Sequence, residues 1–286
     1  MTDELIVNLC PTGMVPRRDT TPAVPITPEE IAADVRRCAD AGASMVHLHA
    51  RADDETPTWR RERFDEILAA VQAAAPDIIT VVTTSGRNWN DIERRADALD
   101  ARGCRPPEMA SLTLGSMNFP TSASVNSPQT ITTLAERMRE RGIVPELEVF
   151  DVGQANLIDY LQRTGALPVS VYVNFLWGSR GTAALTPINV AAGLAALPRD
   201  TVWSFAGIGR FQLRANVMAI ALGGHVRVGL EDNPYLDWSN RSPASNPRLV
   251  ERVVRIAQMM GRDPASANTA RHLLGLPAAA PTGADG

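Results

Sequence analysis

Ser44-Met45-Val46-His47-Leu48-His49-Ala50-Arg51 is the stretch on which the fold turns. Its first six residues, Ser44–His49, form a short apolar run of strand length, too brief for a helix. Just upstream, Thr27-Pro28-Glu29-Glu30 offers an N-cap hydroxyl, a proline at the first helical position and an acid that can return the bond. This spacing predicts a helix over Pro28–Ala41, stopped by Gly42, that hands the chain directly to the strand. The same alternation runs along the whole chain. Strands are predicted at Leu5–Leu9, Ser44–His49, Ile78–Thr83, Met109–Leu112, Val144–Phe150, Val169–Leu176, Val202–Ala206 and Val226–Leu230. Helices are predicted at Pro28–Ala41, Arg61–Ala75, Asp91–Ala101, Pro128–Arg141, Gln154–Thr164, Ile188–Leu197, Phe211–Leu222 and Asn246–Met260. Eight βα units close a single (β/α)8, or TIM, barrel of the α/β class.

The chain's 286 residues suit one such barrel. It is expected to span residues 1–276, followed by a disordered Ala/Pro/Gly tail at 277–286. A net charge of −4 offers no basic footprint for nucleic acid, so small molecules and copies of the chain are the expected partners. Met1-Thr2-Asp3-Glu4 is acidic where a signal peptide needs positive charge, and no apolar run approaches the roughly 18 residues of a membrane span. A cytoplasmic location, away from membranes, is therefore expected. Cys10, Cys38 and Cys104 are far apart and form no Cys-x-x-Cys pair; they read as buried or idle thiols, not a disulfide framework or zinc knot. The chain contains no lysine: all 28 basic side chains are arginine. Arginine cannot form a Schiff base, which excludes lysine-type aldolase chemistry and a lysine-anchored pyridoxal cofactor. Carbon–carbon bond chemistry here needs a metal or another electron sink.

Spacing singles out a metal site. His47 and His49, two apart in a strand, point to one face near its C-terminal end, where barrels keep their sites. By itself such a pair also fits hydrogen-bonded core histidines. Yet the chain has only four histidines, and the eighth strand ends in Gly229-Leu230-Glu231-Asp232-Asn233. Strands two and eight flank strand one in a closed barrel, so His47, His49 and Glu231 can converge on one cation, leaving positions open as in a catalytic zinc site. Asp232 is then placed to act as a base, and Arg227 to orient it or hold a substrate carboxylate.

Three loops complete the candidate site. The turn Ala206-Gly207-Ile208-Gly209-Arg210 after the seventh strand is where barrels commonly cradle phosphate, although a tight turn also needs such glycines. Thr83-Thr84-Ser85-Gly86-Arg87 offers hydroxyls and a guanidinium to a carboxylate or oxyanion, as ordinary turn chemistry also does. The polar link Thr113–Ser127 reads as an active-site loop.

Together these elements resemble the β-keto acid cleavage enzymes, the family that includes the 3-keto-5-aminohexanoate cleavage enzyme. The matching segments are Pro11-Thr12-Gly13, Pro25-Ile26-Thr27-Pro28-Glu29-Glu30, His47-Leu48-His49, Pro107-Glu108-Met109-Ala110-Ser111 with Gly115-Ser116-Met117-Asn118-Phe119, Pro145-Glu146-Leu147-Glu148-Val149, Ala206–Arg210 and Gly223–Asn233. They span nearly the whole chain and are specific in combination. The resemblance implies a zinc-containing, homo-oligomeric barrel in which a β-keto acid and acetyl-CoA yield acetoacetate and a new acyl-CoA. It implies metal ligation by His47, His49 and Glu231, a catalytic pair in Asp232 and Arg227, and substrate contacts at Thr83, Ser111 and Glu148, with Thr84 and Ser85 beside them. A CoA phosphate would fall to Gly207, Gly209 and Arg210.

One departure bears on the substrate. The aminohexanoate enzyme follows Thr-Gly with a glutamate suited to a cationic amine, whereas this chain reads Thr12-Gly13-Met14-Val15. A neutral or anionic β-keto acid is expected, with Arg17, Arg18, Arg87 or Arg180 meeting a distal carboxylate or Trp177 lining an apolar pocket. Three other readings remain. A metal-dependent aldolase would not need CoA; an amidohydrolase-type hydrolase would need further histidines, of which only His225 and His272 are left; a non-catalytic metal- or ligand-binding barrel would need no base beside the metal.

Overall fold

Thr27 caps the first helix as its spacing predicts. Its side chain accepts from the Glu30 backbone N–H at 3.3 Å, and the Glu30 carboxylate accepts from the Thr27 N–H at 3.1 Å. At the other end Gly42 adopts a φ of +112°, which a glycine takes without steric cost and which turns the chain into the second strand. A computed structural model describes residues 3–278.

Eight parallel strands, β1 Val7–Leu9, β2 Met45–Leu48, β3 Ile79–Val82, β4 Met109–Thr113, β5 Val144–Val149, β6 Tyr172–Trp177, β7 Val202–Gly207 and β8 His225–Val228, pair in chain order, and β8 closes on β1. The helices between them are α1 Pro28–Asp40, α2 Arg61–Ala74, α3 Ile92–Ala96, α4 Pro128–Glu140, α5 Val152–Arg163, α6 Pro187–Ala195 and α7 Gln212–Ala221, with α8 Asn246–Met259 and α9 Ala267–Leu274 after the last strand. The predicted (β/α)8 barrel is the observed fold.

Strand alternation sorts the side chains. Residues such as Val46, Leu48, Val82, Leu112, Leu147, Val149 and Phe175 face outward into one apolar layer beneath the helices. At the N-terminal mouth Ile6, Met45, Ile79, Met109 and Tyr172 pack against Ala270 and Leu274 of α9, so the C-terminal helix plugs the barrel from below. Buried Arg271 anchors this plug with paired bonds of 2.7 and 2.8 Å to Glu108. The layer above is polar. Asn8 on β1 donates to Glu146 on β5 at 2.5 Å; these strands lie on opposite sides of the barrel and meet only through its interior. Tyr172, Ser204 and Asn174 continue the network with bonds of 2.9 and 2.8 Å.

Element boundaries differ from expectation where local apolarity misleads. The sixth strand starts at Tyr172, not Val169, whose side chain is 94% exposed. The eighth ends at Val228, so Glu231 and Asp232 lie in the turn beyond it. The first begins at Val7, while Leu5 bridges to Pro264. The third helix is one α-turn that tightens into a 3-10 segment at Asp97–Asp100. Among the described residues no helix is long and apolar enough to cross a membrane. The tail expected to be disordered lies outside the described residues from 279 on.

Candidate active site

Glu146 sets the orientation of His47. Its Oε2 lies 2.6 Å from His47 Nδ1, and both side chains are buried. Burial raises the pKa of the Glu146 carboxyl, but His47, followed by Arg227 and Asn8, more than reverses this and keeps it ionised. An ionised carboxylate only accepts, so Nδ1 carries the proton and the Nε2 lone pair points away. Burial lowers the proton affinity of His47, yet Glu146 outweighs it and the net shift is upward, which makes Nε2 a stronger donor to a cation.

That lone pair faces a convergent donor set. His49 Nε2 is 3.2 Å from His47 Nε2 and 3.3 Å from Glu231 Oε1. One ligand atom from each of these three residues lies within 4.8 Å of the other two. Glu231 Oε2 is buried and has no hydrogen-bond partner among the described residues. Burial keeps His49 below its ordinary pKa, hence neutral. Burial pushes the Glu231 carboxyl up, but Arg227, His49 and His47 hold it well below the carboxylate range. Two imidazole nitrogens, a carboxylate oxygen and a second oxygen without a partner suit a divalent cation. Gly13 lets the first loop pass beneath Glu231: its φ is +62°, and a β-carbon there would collide with the Glu231 side chain. Arg51, fully buried, clamps that loop by donating to the carbonyls of Gly13 and Pro16 at 2.7 and 3.0 Å.

Arg227 is the hub of the neighbouring charges. Its guanidinium is buried and donates to Glu148 Oε1 at 3.1 Å, Glu231 Oε1 at 2.6 Å and Asp232 Oδ2 at 3.2 Å. Thr113 donates to the other Glu148 oxygen at 2.8 Å. Asp232 Oδ2 also accepts from Cys10 Sγ at 3.3 Å. Cys10 is buried, as expected from the sequence, and it touches the candidate base. Burial pushes its pKa well up, with Asp232 adding to the shift, so it stays a protonated donor. For Asp232, burial and Glu231 together outweigh Arg227, and its carboxyl is raised above the ordinary range, making it a better base than an exposed aspartate.

A cavity of about 400 Å3 opens above these groups at the C-terminal face. His49, Glu148, Arg227, Glu231 and Asp232 reach it, and Thr83 and Ser85 contribute hydroxyls to its wall. The link expected to be an active-site loop folds into a ribbon, Met117–Asn118 against Ala123–Ser124, and brings Phe119 and Ser124 to the rim. Thr84 and Ser111 do not line the cavity; the Thr84 hydroxyl donates to the Ser111 carbonyl at 2.6 Å and its N–H to the Ser111 hydroxyl at 3.2 Å. Of the glycine turn, Gly209 lines the cavity and Gly207 does not. The Ile208, Gly209 and Phe211 amides already donate to the carbonyls of Trp177, Asp232 and Ile208, and the Arg210 side chain is exposed.

The expectation for Trp177 is corrected. It stands on the outward face of β6, stacked on Phe175 at 5.1 Å, while its inward neighbour Leu176 lines the cavity. Of the four arginines considered for a distal carboxylate, only Arg87 lines the cavity; Arg18 pairs with Glu30 and Glu55, and Arg17 and Arg180 are exposed outside it. His225 accepts the Ile6 N–H at the opposite end of the barrel, and His272 is exposed on α9. The residue that sequence reasoning missed is Glu146. Its signal was present: Glu146 and Glu148 alternate in a strand whose other residues are apolar, which puts two carboxylates on one inner face.

Comparison with known proteins identifies the family. Residues 4–276 match the family described as beta-keto acid cleavage enzyme. The 3-oxoadipate:acetyl-CoA acetyltransferase of Cupriavidus necator is 39% identical over 280 residues, covering 97% of this chain and 96% of that one. The 3-keto-5-aminohexanoate cleavage enzyme of Fusobacterium nucleatum is 37% identical over 278 residues, covering 96% and 99%. Among solved structures, apo ObcA aligns with a TM-score of 0.76 at 22% identity, over 89% of this chain and 66% of that one, a likeness of fold alone. With its barrel, its polar site and a match from residue 4 to residue 276, the chain belongs to the β-keto acid cleavage enzyme family.

Proposed function

We propose that the protein transfers the acyl group of a β-keto acid to CoA, taking acetyl-CoA as co-substrate and releasing acetoacetate and a new acyl-CoA. One observation carries this reading: a buried carboxylate, Asp232, held at 3.2 Å by buried Arg227 beside a three-residue donor set, in a family whose relatives include acetyl-CoA-dependent transferases. His47, His49 and Glu231 are the residues that would hold a divalent cation, and a set of two nitrogens and one oxygen suits zinc. Such an ion would supply Lewis-acid polarisation of substrate oxygens.

The chain's own residues supply the rest. Asp232 removes a proton from C2 of the β-keto acid, and its two bonds to Oδ2 leave Oδ1 for that proton. Arg227 fixes the carboxylate in place and offsets negative charge growing beside it. The electron pair left on C2 attacks the thioester carbonyl and expels CoA thiolate. The thiolate then adds to the original ketone, and cleavage of the adjoining C2–C3 bond yields the acyl-CoA and acetoacetate, with the proton of Asp232 returned to C2. Thr83 and Ser85 provide hydroxyl donors along the wall, and exposed Arg210, next in the chain to cavity-lining Gly209, the charge for a CoA phosphate. Because Met14 and Val15 offer no carboxylate to an amine, the substrate is neutral or anionic at its far end. The free thiols of Cys10, Cys38 and Cys104 accord with work in the cytoplasm, and self-association into a homo-oligomer belongs to the same reading.

The test is acetyl-CoA-dependent acetoacetate release from a panel of β-keto acids, wild type beside Asp232→Asn. Loss of the base is expected to lower kcat by about 10^2- to 10^4-fold. Equal rates in the two proteins would remove Asp232 from the mechanism; consumption of the keto acid without acetyl-CoA, yielding acetate in place of acetoacetate, would replace transfer by simple cleavage.

A further inference from the structure

Charged groups at the cavity floor are mutually engaged. Arg227 holds Glu148, Glu231 and Asp232, and His49 sits against Glu231. Arg87 differs. It lines the same cavity and is half-buried, yet among the described residues its guanidinium makes no ion pair and donates no hydrogen bond. The group is not loose: its central carbon lies 4.2 Å from the centroid of the Phe119 ring, on the ribbon that forms the rim. Stacking on an aromatic face holds the guanidinium plane and leaves its N–H edges free, the arrangement that receives a carboxylate through two parallel bonds. A half-buried cation without an ion pair carries a desolvation cost that Glu231 offsets only at a distance and that an anionic ligand would relieve further. The other cation on the wall, Arg227, is held by three carboxylates, and the first loop contributes Met14, Val15, Pro16, Thr20 and Thr21, none of them charged.

We propose that Arg87, stacked on Phe119, is the specificity residue of this cavity, and that the preferred substrate is a β-keto acid bearing a second carboxylate at the far end of its acyl chain. The inference rests on the reading above that the cavity holds a β-keto acid. It narrows that class to dicarboxylates and assigns the distal charge to one residue.

The test compares 3-oxoadipate with 3-oxohexanoate, which has the same chain length without the second carboxylate, in wild type, Arg87→Gln and Arg87→Lys. Acetoacetate release gives kcat and KM for each keto acid and for acetyl-CoA; calorimetry gives binding of each keto acid without turnover. The wild type is expected to favour the dicarboxylate. A charge-assisted contact of this kind corresponds to about a tenfold to a hundredfold loss in Arg87→Gln, in KM and in calorimetric affinity, for 3-oxoadipate alone. Arg87→Lys should recover part of it, and KM for acetyl-CoA should not move. Equal losses on both keto acids would overturn the proposal by making Arg87 a structural residue, and a rise confined to the KM for acetyl-CoA would overturn it by making Arg87 a phosphate contact. A wild type that turns over 3-oxohexanoate as well as 3-oxoadipate would refute the dicarboxylate class while leaving the transferase reading intact. Arg87-dependent binding of 3-oxoadipate without acetoacetate release would do the reverse, sustaining the subsite and overturning the transferase reading. Unchanged thermal midpoints in the variants exclude misfolding as the cause.

Discussion

Replacing Glu146 by glutamine tests how the barrel interior prepares His47. The carboxylate accepts on both sides: Oε1 from Asn8 Nδ2 at 2.5 Å and Asn174 Nδ2 at 3.4 Å, Oε2 from His47 Nδ1 at 2.6 Å. Glutamine has one accepting oxygen and one donating nitrogen, so it cannot satisfy both sides. If its oxygen faces His47, two amide donors confront each other at Asn8. If its nitrogen faces His47, Nδ1 must become the acceptor, the ring proton moves to Nε2, and the lone pair that faces His49 is lost. Either outcome weakens the donor set. Loss of a residue that orients a metal-bound histidine typically costs about 10- to 100-fold in metal affinity, or roughly 1.4 to 2.7 kcal/mol. The mismatch inside the buried network should cost about 1 to 3 kcal/mol of folding stability besides. Metal retention against a graded chelator, read by elemental analysis, checks the first figure; nitrogen-15 shifts of the His47 ring report the tautomer. Wild-type metal retention with an unchanged His47 tautomer in Glu146→Gln would refute the reasoning.

Two further predictions follow from groups outside the catalytic pair. His225 accepts the Ile6 N–H through Nδ1 at 3.0 Å, and burial, with Arg262 adding to it, pushes its pKa down to about 4. The unfolded chain protonates this histidine near pH 6.5 and the folded one only near 4. Its stabilising contribution is therefore complete above about 6.5, falls as the pH drops, and levels off below 4, a total of up to about 3 kcal/mol. Urea unfolding at steps from pH 7 to 4.5 should show a gap between wild type and His225→Asn that changes with pH; parallel curves would contradict it. Gly13→Ala forces a β-carbon into a φ of +62° and against the Glu231 side chain. It should cost about 1 to 3 kcal/mol and lower metal content together, as read by calorimetry and elemental analysis, and loss of neither would show that the loop tolerates the contact.

What the sequence made legible was what depends on spacing alone. Two histidines two residues apart share a face in any strand, and a strand order of eight, one, two brings Glu231 to them, so the donor set could be read before any coordinates. Trp177 shows the limit. Its place in an apolar run said nothing about parity, and one residue decides whether a side chain enters the cavity, as Leu176 does, or packs beneath the helices. The contacts of Glu146 and Cys10 were hidden for another reason. A buried acid makes sense only once Asn8, His47 and Asn174 are seen to arrive from three other strands, and a buried thiol is ordinary until Asp232 is found 3.3 Å away. The glycine turn at Gly207 and Gly209 could be located but not interpreted, because the partners of its amides come from Trp177 and Asp232, on separate elements.

Carbon tracing tests the transfer itself. With acetyl-CoA labelled with carbon-13 at the carbonyl and an unlabelled β-keto acid, bond formation between C2 and the acetyl group predicts acetoacetate labelled at its ketone carbon, C3, and an acyl-CoA without label. Unlabelled acetoacetate, or label in the acyl-CoA product, would contradict the exchange of acyl groups on which the account rests.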